Sequence, residues 1–167
     1  MANLCSVRMR IAAKDAKTIK RFIRDVRDNG DFRVYSGVLA EDEKFDPNLI
    51  FTEDDVFACD IELSVGWSFV TAFEEDGVDR MFGKTEPSYE KYFHEFCKDY
   101  GVGVEVYTEE PGAGFEEHYL IAPSGQFVES DCRSMTEEYD EEKDDWVKSG
   151  GFGDPDFLTP QEILAAK

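Results

Sequence analysis

The constraint that most narrows the possible folds is a change of hydrophobic period near the N-terminus. In LCSVRMRIA, residues 4–12, apolar and polar side chains alternate, as on the two faces of a β-strand. The next stretch, KDAKTIKRFIRDVRDNG, residues 14–30, has apolar residues at helical spacing, basic residues opposite and Asn29-Gly30 as a stop signal. A half-buried strand that leads into an amphipathic helix predicts a sheet with a helix packed on one face.

A similar pattern follows later in the chain. Strands are predicted at residues 32–39 and 56–66, and again at 102–110, 114–123 and 126–132. Residues 41–55 show no period, and the period of WSFVTAF, residues 67–73, is undecided between strand and helix. A second helix is predicted within residues 85–101, ending at Gly101, because an aromatic stripe recurs there at helical spacing: Tyr89, Tyr92, Phe93, Phe96, Cys97 and Tyr100.

This order of elements predicts an α+β fold. Two helices on one face of an antiparallel sheet bury both apolar stripes, as in the ferredoxin-like βαββαβ sandwich. We place that domain at residues 1–132 and an acidic C-terminal extension at residues 133–167, either packed on the domain or trailing from it. Within the extension, TPQEILAAK predicts a final helical turn with Thr159 as its cap.

Composition excludes several classes of protein. With 41% hydrophobic and 14% aromatic residues, the chain is too rich in large apolar side chains for a disordered protein. No apolar run reaches the roughly 18 residues of a membrane span, and the N-terminus has no secretory pattern, so a cytoplasmic location is expected. The four cysteines form no CxxC pair, which favours reduced structural thiols over zinc or disulfides: Cys5, Cys59, Cys97 and Cys132.

The charge is large and uneven. The chain has 18 basic and 38 acidic residues, a net charge of −20, although residues 1–40 alone carry a net charge of +5. Such an excess repels nucleic-acid phosphates, so we expect no direct nucleic-acid partner. It favours either plain solvation or a protein partner, of which a basic protein is one candidate. The basic face of the first helix is interpreted as a solvated face or as a contact for the acidic extension.

The most acidic candidate site is EVYTEEPGAGFEEHYLIAPSGQ, Glu105–Gln126, interpreted first as a hairpin with an acidic face. Because side chains alternate along a strand, Glu116 and Glu117 point to opposite faces and His118 shares a face with Glu116. A metal site would need Glu116, His118 and Glu109 to converge. The spacing matches no calcium loop, and no catalytic motif is present.

We therefore assign no catalytic residue, metal ligand or cofactor, and we leave open whether the chain is an enzyme, with a non-enzyme favoured. The candidate binding residues are Trp67, Glu109, Glu110, Glu116 and His118. The exposure of Trp67 distinguishes two roles: a buried tryptophan belongs to the core, whereas one that is exposed beside the Pro111–Gly114 turn suggests a partner surface.

Three stretches resemble a known family. MANLCSVRMRI is similar to the opening of the YubB-type ferredoxin-like proteins, and GWSFVTAF to their WS segment. VEVYTEEPGAGFEEHYLI, with the following ESDC, resembles their hairpin motif. Leu4 and Val7 stand where that family often has Trp and Asn. The resemblance implies a ferredoxin-like fold and an origin in phages, prophages or plasmids, and it assigns no activity.

Three functions are compatible with these observations. The first is a non-enzymatic accessory protein of a phage or mobile element that acts through protein contacts. The second is an acidic nucleic-acid mimic that inhibits a host defence or DNA-handling protein. The third is a metal-dependent enzyme centred on Glu116 and His118. The sequence leaves the oligomeric state open.

Overall fold

The computed structural model describes residues 4–30, 32–40, 43–74, 91–142 and 144–167. These residues form one antiparallel sheet of eight strands, curled into a half-barrel, with four short helices. Strands account for 44% of the described residues and helices for 25%, so the sheet dominates the fold.

The strands follow the order β2-β4-β1-β5-β6-β7-β8, and β3 also pairs with β4. Their bounds are β1 Leu4–Ala13, β2 Val34–Gly37, β3 Ile50–Glu53, β4 Val56–Gly66, β5 Gly103–Glu110, β6 Phe115–Ile121, β7 Phe127–Asp140 and β8 Asp145–Gly150. The helices are α1 Ala16–Asn29, α2 Phe69–Phe73, α3 Phe93–Tyr100 and α4 Pro160–Ala165, and a 3-10 turn covers Pro47–Leu49.

The alternation in β1 defines the two faces of the sheet. Cys5, Val7, Met9 and Ile11 are fully buried against α1, as the sequence predicts. We call this side the core face. The side that carries Arg8 and Arg10 is called the tail face, because the C-terminal residues cover it.

Aromatic rings fill the space between the core face and the helices. Phe93, at the start of α3, lies 5.2–5.6 Å from three other rings, mostly edge to face, a geometry that adds to the gain from burial. The predicted aromatic stripe is thus confirmed from Tyr92 onward, whereas its Tyr89 lies outside the described residues. The rings that contact Phe93 at these distances are Phe22, Phe69 and Phe73.

Local signals set the ends of the helices. Asp15 accepts the N–H of Thr18 at 2.8 Å, which caps α1 and lowers the pKa of its carboxyl. The undecided WSFVTAF stretch becomes the short helix α2, because Ser68 accepts the N–H of Thr71. The predicted capping box at Thr159 is confirmed and begins α4.

The ferredoxin-like α+β prediction, with two helices on one face, is wrong. The sheet continues beyond residue 132 through the second half of β7 and through β8, so the boundary drawn there falls inside a strand. Helices also cover both faces, because α4 packs through Ile163 against Ala12 and Leu120 on the tail face. The prediction failed because nearly all described side chains of residues 131–150 are exposed, which leaves no apolar alternation to mark a strand.

Within the described part of the chain, no helix is long and apolar enough to cross a membrane.

The four cysteines are free, and Cys5, Cys59 and Cys97 are buried whereas Cys132 is exposed. Burial raises the pKa of the Cys5 and Cys59 thiols to about 12, which suppresses the reactive thiolate.

We expect one fast-reacting thiol per native chain. At about pH 8, DTNB should label Cys132 quickly and the three buried cysteines only as the chain unfolds, because they lack both access and thiolate. A Cys132→Ser variant should lose the fast phase entirely. Fast labelling of Cys5 or Cys59 would contradict the placement of β1 and β4 in the core.

Candidate functional site

The β5–β6 hairpin separates its acids between the two faces of the sheet. Its register places Thr108 opposite Glu117, Tyr107 opposite His118 and Glu109 opposite Glu116. Thr108 faces the core together with Val7, its partner on β1. The prediction that Glu116 and Glu117 point to opposite faces, with His118 beside Glu116, is therefore confirmed.

Glu117 joins the hairpin to the start of α2. Its carboxylate, almost fully buried, accepts three hydrogen bonds of about 3 Å: from the backbone N–H of Phe69 and from the hydroxyls of Thr108 and Tyr119. Burial, with the charge of Glu117, raises the pKa of Tyr119. These three hydrogen bonds satisfy the buried carboxylate and position α2 on the sheet.

Glu110, a candidate binding residue, is also buried on the core side. It accepts the backbone N–H of Ala113, and its own carbonyl accepts the N–H of Gly114. Both contacts lie inside the turn between β5 and β6. Glu110 therefore stabilises the hairpin turn and is not available to a ligand.

On the tail face, Glu105 is the most deeply buried acid, with 1% of its surface exposed. One of its oxygens lies 2.9 Å from Nε2 of His118, and the other accepts the N–H of Leu158 at 2.7 Å. The His118 ring stacks on Tyr107 with 4.4 Å between ring centres. Burial and then the charge of Glu105 raise the pKa of Tyr107 to about 12.

Residues 151–158, which we call the strap, cover the acidic face of the hairpin. The N–H of Phe152 contacts the Glu116 carboxylate, and the Phe152 ring lies between His118 and the guanidinium of Arg133. Arg10 donates to the carbonyl of Leu158 at 3.1 Å and is paired with Asp60. The acidic extension thus packs on the sheet, one of the two arrangements that the sequence left open.

The strap leaves little room beside the candidate residues. A cavity of about 20 Å³, the space of roughly one water molecule, remains there. It is lined mainly by Ser6, Arg8, Tyr107, Glu109, Glu116 and Pro155. Glu109 itself contacts the ammonium of Lys148. Nowhere in the described ranges do three or more His, Cys, Asp or Glu side chains come together as a metal site.

The second histidine forms a separate pair. Nδ1 of His94, in the first turn of α3, lies 2.5 Å from the carboxylate of Glu74, which also accepts the His94 backbone N–H at 2.8 Å. Burial raises the pKa of Glu74, and the contacts with His94 oppose that shift. The pair joins the end of α2 to the start of α3.

Trp67 is exposed over 45% of its surface and has a left-handed backbone with φ of 71°. It follows Gly66, whose partner in the register is the exposed Leu4. The ring of Tyr35, also exposed, covers Gly66 closely. The structure thus places Trp67 in a small apolar patch, made of Leu4, Tyr35 and Trp67, at one end of the sheet.

The most exposed structure in the described chain was not predicted from the sequence. β6 begins at Phe115, opposite Ser134, and only β8 pairs as a strand with residues 135–140 of β7. Residues 135–150 therefore form a two-stranded ribbon that projects past the end of the sheet. We call it the ribbon. One signal was present: Tyr139 and Trp146 stand symmetrically about an acidic turn, and they become a cross-strand pair 5.6 Å apart.

The ribbon combines exposed aromatic rings with dense negative charge. Trp146 is exposed over 63% of its surface and Tyr139 over 47%. Residues 135–150 carry seven acidic and two basic residues, a net charge of −5. A two-stranded ribbon is marginally stable by itself, and exposed aromatic residues on it are typical of a contact surface.

Comparisons of the chain with protein-family models, with curated proteins and with solved structures found no match. The resemblance to the YubB-type family therefore stays a prediction. Conclusions about function rest on the geometry of the hairpin, the strap and the ribbon.

We predict different stability costs for the two acids that face His118. Glu105→Ala leaves His118 and the N–H of Leu158 without their buried acceptor, and removing one member of a buried pair costs about 3–5 kcal/mol. Glu129 is exposed and 3.6 Å from Nδ1 of His118, so Glu129→Ala should cost less than about 1 kcal/mol. Urea unfolding measures both free energies. Equal losses would contradict the role of Glu105 as the anchor of the strap.

Proposed function

We propose that this protein is a non-enzymatic accessory protein that acts through protein–protein contacts, with the ribbon as its binding surface. The observation that carries the proposal is the exposed Tyr139–Trp146 pair on a ribbon that projects from the sheet. Tyrosine and tryptophan dominate the binding energy of protein interfaces, because each brings a large contact area with few rotatable bonds.

The charge of the ribbon favours a basic partner. The acidic residues of the ribbon surround the aromatic pair. Lys148, on one side of this pair, forms ion pairs with Glu109 and Glu137. Complementary charge speeds the encounter of two proteins and suppresses wrong partners, whereas the aromatic contacts slow dissociation. A protein with a basic, apolar-edged surface fits both features.

The arrangement on the tail face favours binding over chemistry there. Glu116 and His118, the centre of the enzyme alternative, hold the strap through Phe152 and through Glu105. A substrate would have to displace the strap before it reached either group. The ribbon requires no such rearrangement, since its aromatic pair is already exposed.

The biological setting follows from the resemblance of the sequence. The GWSFVTAF and EEPGAGFEEH stretches support an accessory protein of a phage or other mobile element. The composition supports a cytoplasmic location for the protein, where its partners would be proteins of the host or of the mobile element. The ribbon is the surface offered to them.

The two tryptophans supply a matched test of this proposal. A tagged chain is used to capture partners from host lysate at low salt, and the dissociation constant of the captured protein is then measured for two variants. Trp146→Ala should weaken binding at least about 30-fold, the loss of an interface anchor worth about 2 kcal/mol. Trp67→Ala, which removes the other exposed indole, should leave the dissociation constant within about threefold, a change of less than about 1 kcal/mol.

The opposite pattern would reject the ribbon. If Trp67→Ala abolishes binding and Trp146→Ala does not, the partner docks on the patch of Leu4, Tyr35 and Trp67. If neither change matters and affinity falls steeply with salt, the acids alone carry binding, which is the behaviour expected of the nucleic-acid mimic.

A further inference from the structure

The outer edge of the ribbon has backbone groups that no described strand pairs. β8 is the last strand in the order of the sheet, so among the described residues one of its sides has no neighbour. An unpaired edge presents a row of N–H and C=O groups on which a further strand can form. Which groups point outward decides how such a strand would bind.

Two contacts and the register of β7 with β8 fix the direction of these groups. Met135 donates its N–H to Gly114, on the β6 side, so the even-numbered residues that follow in β7 face β8. Ser134 accepts the N–H of Gly151, which agrees with that alternation. The register then turns Val147 and Ser149 toward β7 and turns the N–H groups of Trp146 and Lys148 outward.

The outward N–H of Trp146 shows how the free protein satisfies this edge. It donates to the carboxylate of its neighbour Asp145 at 2.8 Å, a contact within the edge strand itself. An exposed side-chain acceptor of this kind is readily exchanged for the carbonyl of an incoming strand. In the free chain the Asp145 carboxylate thus satisfies the outward N–H of Trp146, and an incoming strand can replace that carboxylate.

The opposite edge of the ribbon is less accessible. There, the Gly114 carbonyl is bonded to Met135, so the Pro111–Gly114 turn stands beside the base of the ribbon. A strand added along Glu137 and Tyr139 would run into this turn after a few residues. The edge of β8 has no such obstacle among the described residues.

The net charge of the ribbon selects the occupant. A second copy would bring another ribbon with a net charge of −5 to the same edge, and like charges on adjacent strands are destabilising. A basic segment would replace this repulsion with attraction, since its lysines or arginines would lie next to the acidic residues of the ribbon. An arginine beside Trp146 would also stack on the exposed indole.

We infer that the ribbon binds a basic, extended segment of its partner as an added β-strand along β8, with backbone bonds to Trp146 and Lys148. This inference rests on the proposed function and names the partner's chemistry and mode of binding. It is a case of strand addition, in which main-chain bonds supply affinity and alternate side chains supply specificity.

The test uses the full chain and a short peptide of alternating arginine and valine. A matched peptide carries N-methyl groups on all of its backbone nitrogens, which keeps its side chains and charge but prevents pairing along either edge. Calorimetry should show binding of the first peptide and at least about fivefold weaker binding of the second. On binding the first peptide, the amide of Lys148 should exchange more slowly with solvent. Equal affinities for the two peptides, or no binding of either, would overturn the inference.

Lys148 provides the matched pair of protein variants. Lys148→Pro removes the outward N–H at a position where an edge strand tolerates proline, and it should weaken peptide binding at least about fivefold. Lys148→Ala removes the same side chain but keeps the N–H, and it should bind at least as tightly as the wild type. Wild-type affinity in Lys148→Pro would contradict strand addition. If Lys148→Pro fails to fold, the comparison of the two peptides still decides.

These outcomes separate the inference from the proposed function. A captured partner that requires Trp146 but binds Lys148→Pro normally would leave the ribbon as the binding surface and reject only the added strand. If a captured partner binds Trp146→Ala as tightly as the wild type, the proposed function itself is rejected.

Discussion

The structure depends on one buried carboxylate, that of Glu105. It lies on the tail face of the central sheet, where it faces His118 and accepts the N–H of Leu158. A polar group this deeply buried needs hydrogen-bond partners, and its two partners come from segments that are distant from one another in the sequence. Glu105 therefore binds one end of the strap, at Leu158, to the hairpin, and Glu116 binds the other end, at Phe152.

Holding the strap in place has a consequence for the ribbon. β7 leaves the sheet at Ser134, and the chain returns to the sheet at Gly151 through a bond to the same Ser134. Both ends of the ribbon are thus fixed at one point of the sheet, and the residues between them project. The acids that the sequence indicates as a candidate site act mainly as internal anchors. The surface that we propose for a partner lies beside them, on residues that the sequence predicts as part of an acidic extension.

The sequence predicted those elements whose side chains have one apolar face. β1, α1 and the aromatic stripe of α3 were predicted from their period, and the faces of Glu116 and Glu117 followed from simple alternation. β8 was missed because all six of its residues are exposed, which removes the apolar signal. The ferredoxin-like prediction was wrong for a related reason, since strands beyond Cys132 and a helix on the tail face arise from long-range pairing that no local pattern encodes.

The central claim is that residues 135–150 form an ordered ribbon with one free edge. Amide hydrogen exchange in the unbound chain tests it most directly, because the antiparallel register makes the residues of β8 alternate. We predict that the amides of Val147 and Ser149, which face β7, exchange more slowly than the outward amide of Lys148. Equally fast exchange at all three positions would show that the ribbon is not formed. That result would also reject the ribbon as the binding surface.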